Sequence, residues 1–166
     1  ASAFGIGLLI DEKGNDKYYS EAYSQGFASS RALGILLDKS GDDIYISSSQ
    51  NTDAAERENR YVSFSQGAVL GVRPYSASGY GLLIDNAGDD IYKCESFGQG
   101  VSHWYGIGSL IDKSGDDQYS ANRHAQGSGT RYGFGLLIDY NGNDAYQSLS
   151  ESQGCGHNTA FGALLD

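Results

Sequence analysis

The chain repeats itself every 27 residues, and no other feature narrows its folding choices as far. Each repeat closes an apolar run on an aspartate. Asp11, Asp38, Asp85, Asp112, Asp139 and Asp166 follow one another at intervals of 27, 47, 27, 27 and 27 residues. Self-similarity at a fixed period of this size marks a solenoid, in which each unit buries its apolar face only against its neighbours. The interval of 47 is one repeat plus 20 inserted residues. A Gln-Gly landmark locates them: Gln25, Gln99, Gln126 and Gln153 each follow their aspartate by 14 positions, whereas Gln66 follows Asp38 by 28. Fourteen extra residues therefore fall in the polar stretch 47–61 and six in 72–78, around the only proline, Pro74. Both insertions leave one coil, and solenoids often place function on such loops.

Helix is hard to sustain inside a unit that carries about four glycines and no i, i+3, i+4 apolar stripe. The segments "GxGLLID", "DxYxS" and "xxQGxxx" read as three short strands. The expectation is an all-β parallel β-helix of about six coils, forming one domain over 1–166. The asparagine-leucine spacing of leucine-rich repeats is missing, and a propeller blade needs a longer unit. The sequence begins and ends within a repeat, which predicts a segment of a longer chain or end-to-end stacking, because open solenoid ends need caps.

Stacked coils turn each repeat position into a column with a step of about 4.8 Å. Leu9, Leu36, Leu83, Leu110, Leu137 and Leu164 form one column, flanked by Ile10, Leu37, Ile84, Ile111, Ile138 and Leu165. Tyr18, Tyr45, Tyr92, Tyr119 and Tyr146 form another. A glutamine column, Gln25, Gln66, Gln99, Gln126 and Gln153, has amides suited to bonding along the stack. Side chains alternate across a strand. Along "GFGLLID", Phe134, Leu136 and Ile138 therefore share one face, and Gly133, Gly135 and Leu137 share the other. Both faces carry apolar groups, so one of them lies outside and predicts self-association.

The acidic turn "DxxG[DN]D" is the feature most suggestive of chemistry. A glycine free to take positive φ and side chains that cap backbone amides explain one aspartate per turn. The columns Asp16, Asp43, Asp90, Asp117, Asp144 and Asn15, Asp42, Asp89, Asp116, Asn143 add more acid than a turn needs. Two charges 4.8 Å apart repel by roughly 3.5 kcal/mol at an effective dielectric near 20, or about 1 kcal/mol in bulk water. Four neighbouring pairs then cost about 4–14 kcal/mol, comparable with the whole stability of a domain. Amide hydrogen bonds, solvent, raised pKa values or bound cations relieve such repulsion. Oxygen-rich, sulfur-poor donors favour a hard ion, calcium foremost. The candidate ligands are Asp11, Asp16, Asp38, Asp42, Asp43, Asp85, Asp89, Asp90, Asp112, Asp116, Asp117, Asp139 and Asp144.

"GNDKY", "GDDIY", "GDDQY" and "GNDAY" resemble the second half of the RTX nonapeptide, Gly-Gly-x-Gly-x-Asp-x-(large apolar)-x, of calcium-binding β-rolls in secreted bacterial proteins. The resemblance covers about six residues per coil. It implies that Asp16, Asp43, Asp90, Asp117 and Asp144 stand where that family's ligand aspartate stands. The leading Gly-Gly is missing and the period is 27 instead of nine or eighteen, so the two-sided RTX calcium ladder does not follow.

A formal net charge of −10 argues against nucleic acid and anionic membrane as partners. No apolar run approaches the roughly 20 residues that span a bilayer, and no signal peptide is visible. Cys94 and Cys155 fall at different repeat positions, so neither a bridge nor a metal site is expected. For catalysis the signals are thin: repeated identical acids build a surface or an ion ladder, whereas a reaction needs one asymmetric constellation. His103 and Trp104, with Arg123 beside His124 and Arg73 beside the second insertion, are the candidates for binding a ligand, a glycan foremost. The sequence therefore points to a secreted or cell-surface structural or adhesive module, with calcium in its turns. The alternative is a carbohydrate-active β-helix that uses the inserted coil near Arg60, Arg73 and Tyr75.

Overall fold

The computed structural model describes residues 1–48, 61–72 and 79–166. Arg60, Arg73, Pro74, Tyr75 and most of both insertions lie outside the described residues. Every regular element described is a β-strand, and the strands stack as a parallel solenoid. The longest sheet contains Ile6–Ile10, Leu33–Leu37, Tyr80–Ile84, Ile107–Asp112, Phe134–Asp139 and Phe161–Leu165, in that order. A second sheet, of 5 strands, carries the tyrosines: Lys17–Ser20, Ile44–Ser47, Ile91–Cys94, Gln118–Ser120 and Ala145–Gln147. A third, also of 5, contains Ala28–Ser29, Val69–Leu70, Ser102–His103, Gly129–Thr130 and Gly156–His157. Val62–Ser65 and Ser96–Gly98 pair at the corner between the second and third sheets. The wall of six strands therefore bounds about five turns, one fewer than the six expected.

Register follows the repeat. Leu36 faces Leu83, Leu83 faces Leu110, and Leu110 faces Leu137. In the third sheet Ala28 faces Val69 and Val69 faces Ser102, offsets of 41 and 33 residues, so the insertions divide as the Gln-Gly landmark requires.

The inner face of the long sheet is the glycine–leucine face. In Phe134–Asp139 the residues Gly135, Leu137 and Asp139 are buried, while Phe134 is 39 % exposed. The interior is too thin for bulk at every inward position. A Cβ on Gly135 would stand 2.1 Å from the carbonyl oxygen of Ser128 on the facing wall. Only one large side chain per turn enters from this sheet, and it meets one tyrosine from the second. Leu36, Leu83, Leu110 and Leu137 with Tyr45, Tyr92 and Tyr119 make the central core. Successive tyrosine rings lie 4.8 Å apart and nearly parallel, a spacing imposed by the strands that carry them.

The glutamines are structural, but they do not bond to one another. Gln99 Nε2 donates to the carbonyls of Tyr92 and Ser120, at 3.0 Å each, bridging two turns of the tyrosine sheet. Gln66 and Gln126 do the same one turn before and after. Cys94 is buried, Cys155 half-buried, and both are free thiols.

Leu110→Ala should destabilise the protein by about 2–5 kcal/mol, the usual cost of emptying a packed leucine site. Ile107→Ala, on the outer face of the same strand, should cost under about 1 kcal/mol. Urea unfolding midpoints compare the two, and equal losses would contradict the inward assignment of the glycine–leucine face.

Candidate functional sites

The acidic turn is built from both ends. The closing aspartate makes an Asx turn: its Oδ1 accepts the amide two residues on, from Ser40 to Asp38, Ala87 to Asp85, Ser114 to Asp112 and Asn141 to Asp139, at 3.1–3.3 Å. Its Oδ2 accepts the tyrosine hydroxyl of the preceding turn. Tyr18 donates to Asp38, Tyr45 to Asp85 and Tyr92 to Asp112 at 2.6 Å, and Tyr119 to Asp139 at 2.8 Å. Gly41 has no room for a side chain, since an added Cβ would lie 1.4 Å from the Gly14 carbonyl oxygen.

The two acids that end the turn point opposite ways. Asp42, Asp89 and Asp116 are exposed, and they cap outward in the direction of the chain: Asp42 Oδ1 accepts the Asp89 amide, and Asp89 Oδ1 that of Asp116. Asp43, Asp90 and Asp117 are each 1 % exposed and cap backward. Asp43 Oδ1 accepts the Asp16 amide, Asp90 that of Asp43, and Asp117 that of Asp90, all at 2.6 Å. Every turn is thus stapled to both neighbours.

This inward turning gathers seven buried carboxylates into rungs: Asp38, Asp43 and Asp85; Asp85, Asp90 and Asp112; Asp112, Asp117 and Asp139. Within a rung one ligand atom of each residue lies within 4.8 Å of the others. Among the described residues no salt bridge reaches them. Oδ2 of Asp43 and of Asp117 is buried without a hydrogen-bond partner. Asp11, Asp16, Asp144 and the exposed Asp42, Asp89 and Asp116 stand outside the rungs. Burial is the first cause of a strong upward pKa shift, and the neighbouring carboxylates add to it. Asp43 and Asp112 are pushed up to about 7, Asp117 to about 8 and Asp90 to about 9. Asp85 is raised for the same reason. A charged carboxylate buried alone costs several kcal/mol, so seven together require a neutralising partner. Hard oxygen donors in threes, some with an unpartnered buried atom, are a donor set that suits a hard cation.

A second site lies where turns meet the corner strands. Tyr23, Phe64, Phe97, His124 and Glu151 occupy one column once the insertions are discounted. Phe64 stacks on Phe97 at 4.7 Å, and Phe97 on His124 at 4.8 Å. Glu151 then pairs with both Arg123 and His124, and the Arg123 hydrogen bond holds its carboxyl below the usual range. In the third sheet Thr130 lies between His103 and His157. Arg131 Nη1 stands 2.9 Å from Nε2 of His103 and can only donate, so that ring nitrogen accepts. Nδ1 then carries the proton and donates to Thr130 Oγ1 at 2.8 Å. These residues enclose a cavity of about 140 Å³ lined by Phe97, His103, Arg123, His124, Thr130, Arg131, Glu151 and His157. The chain has three histidines, and all of them line it. At its rim Arg131 lies over the Trp104 ring at 5.5 Å.

Of the sequence candidates, His103, Trp104 and Arg123 thus come together, and Arg73 lies outside the described residues. His124, Thr130, Arg131, Glu151 and His157 were not singled out as ligand-binding. The 27-residue spacing within 97, 124, 151 and within 103, 130, 157 was the available signal. What it lacked was the knowledge that these two columns face each other.

With chelator present, stability should fall as pH rises. The rung aspartates have pKa values near 3.9 when unfolded and about 7–9 when folded. The folded state therefore holds protons that the unfolded chain releases. Their stabilisation is complete below about pH 4 and is lost as pH climbs through the folded values, at about 1.4 kcal/mol per pH unit for each retained proton. Asp90→Asn, a neutral isostere, should flatten the profile between pH 5 and pH 9 in thermal melts, by removing the titration with the highest folded value. No protein-family model, curated protein or solved structure matches the chain, so the RTX resemblance rests on the turn residues alone.

Proposed function

We propose that the chain is a structural β-solenoid module, a stiff spacer or adhesive rod outside the cell, whose aspartate rungs take up calcium or a similar hard cation. The observation that carries this reading is the set of seven buried carboxylates with no salt bridge among the described residues. Asp38, Asp43 and Asp85 would hold one ion, Asp85, Asp90 and Asp112 the next, and Asp112, Asp117 and Asp139 a third. Each ion would neutralise its rung and tie two successive turns together. Extracellular calcium modules bind at about 10⁻⁴–10⁻³ M, a range that suits such a role.

A second reading has its own support. Asp90 lies within hydrogen-bond reach of Asp85, and Asp43 of Asp38. A proton on Oδ2 of the inner aspartate would let it donate to the closing one, completing every hydrogen bond in the rung without metal. The two readings separate by titration. Three rungs at tenfold over Kd add about 4 kcal/mol, a rise in Tm on the order of 10 °C for a chain of this length, reversed by chelator. Identical melts at pH 7.5 in calcium and in chelator would remove the cation and leave the shared proton. Cleavage of a glycan, the other function weighed, needs two carboxylates in unlike environments, and the periodic acids do not provide them.

Lateral association is the second part of the proposal. The outer face of the long sheet presents Ile6, Leu8, Tyr80, Ile107, Phe134 and Phe161, each 38–81 % exposed. An apolar stripe running across all six strands exceeds what a lone soluble rod ordinarily leaves open. Light scattering should show a dimer or larger assembly that dissociates in the double variant Ile107→Lys, Phe134→Lys. A monodisperse wild-type monomer at about 100 μM would refute association at affinities of physiological interest.

A further inference from the structure

We propose that the cavity at the corner binds an oxyanion carried on a sugar ring, a uronate carboxylate or a sulfate ester, with the ring resting on the aromatic rim. The proposal is independent of the cation rungs. The formal net charge is −10 with only 11 lysines and arginines in the chain, yet Arg123, Arg131 and all three histidines meet at this cavity against one carboxylate, Glu151. Such a concentration of positive charge inside an acidic protein selects an anion locally while the remaining surface repels it. The guanidinium of Arg131 has five N–H donors, and its bond to His103 takes one of them.

Size decides how much of the ligand enters. About 140 Å³ holds a carboxylate or sulfate group, not a whole ligand, since drug-sized sites run to about 300–1,000 Å³. The remainder must lie outside, and an aromatic shelf waits there. Tyr105 and Tyr132 stack at 5.1 Å with an interplanar angle of 4°, and Trp104 lies 5.9 Å from Tyr105 and 6.5 Å from Tyr132. Tyr105 is 43 % and Tyr132 53 % exposed. A flat aromatic surface beside an anion pocket suits a pyranose whose C–H face packs on the rings while its acidic substituent enters the cavity. The site is not a property of the repeat. Arg31 stands at the repeat position of Arg131, over the Phe4 ring at 5.5 Å, but its turn has Ser29 and Ser30 before it in place of a histidine.

Trp104 is the only tryptophan, so its fluorescence reports the rim directly. Titration of the full chain with an oligogalacturonate at about 0.15 M salt should give a saturable change that a neutral galactose oligomer does not give. Arg131→Gln should weaken binding at least about tenfold, as loss of a charge-assisted contact does. Arg31→Gln, the same charge change at the equivalent position, should leave it unaltered. Tyr132→Ala should weaken the uronate and leave inorganic phosphate unaffected, which identifies the sugar as the source of the oxyanion. Equal weakening by the two arginine variants would overturn the proposal in favour of diffuse charge. So would equal binding of the neutral oligomer, or phosphate binding as tightly as the uronate. Circular dichroism checks each variant's fold, and His157→Ala, exposed at the rim, replaces Arg131→Gln in the same comparison should that variant unfold.

Discussion

A carboxylate that leaves water must be met by donors, and this solenoid is organised around meeting seven of them at 0–3 % exposure. The closing aspartate takes an amide from its own turn and a hydroxyl from the tyrosine of the turn before. The inner aspartate takes an amide from that same preceding turn. Positions i, i+5 and i+7 of the repeat, as in Asp85, Asp90 and Tyr92, are therefore locked by bonds that run between turns as well as within them. Losing any one leaves a buried polar group unpaired, at about 1–3 kcal/mol each. Coil stacking and acid burial are two descriptions of one network, because the donors exist only when the neighbouring turn is in register.

The thinness of the solenoid explains its composition. A single leucine and a single tyrosine per turn fill the centre, and elsewhere backbone packs on backbone. This is why glycine recurs on the inward side of the long sheet, where the Ser128 carbonyl lies within 2.1 Å of a Cβ built on Gly135. It is also why the glutamine amide serves as a bridge between main chains. Gln99 holds Tyr92 and Ser120 together through two carbonyls, a job an apolar side chain cannot perform in so polar an interior. Stability in such an object is a sum over turns and their interfaces. Neutralising one rung therefore strengthens the two turns that share it.

The architecture was legible because a period survives substitution. Asp38 to Asp85 exposed the insertion, and Gln66 divided it into the two parts that the pairing of Ala28, Val69 and Ser102 bears out. The direction of the walls was not legible. Hydrophobic content favours placing Phe134, Leu136 and Ile138 inside, but the space available admits Gly135 and Leu137 instead. Nor did the sequence say that Asp89 and Asp90, adjacent in the chain, part to opposite sides of the wall, although strand alternation offers the reason. The corner cavity was the least legible feature. It unites residues from columns that share no motif, and only their facing each other makes them a site.

Columns that keep their identity and columns that change it do different work. Leucine, tyrosine, glutamine and the inner aspartate hold their identity across the turns, and each supports its neighbours by being the same. The column that begins Tyr23, Phe64, Phe97 abandons aromatic stacking at His124 and ends in Glu151, while its facing column alternates His103, Thr130, His157. A repeat has no reason of packing to make this change, since a further phenylalanine at 124 would extend the ring stack already spaced at 4.7 Å between Phe64 and Phe97. Histidine preserves the stack, at 4.8 Å on Phe97, and adds a donor that reaches Glu151. The substitution keeps the fold's geometry and converts a packing surface into the wall of a polar cavity. In a molecule built by repetition, that departure is where the structure places recognition.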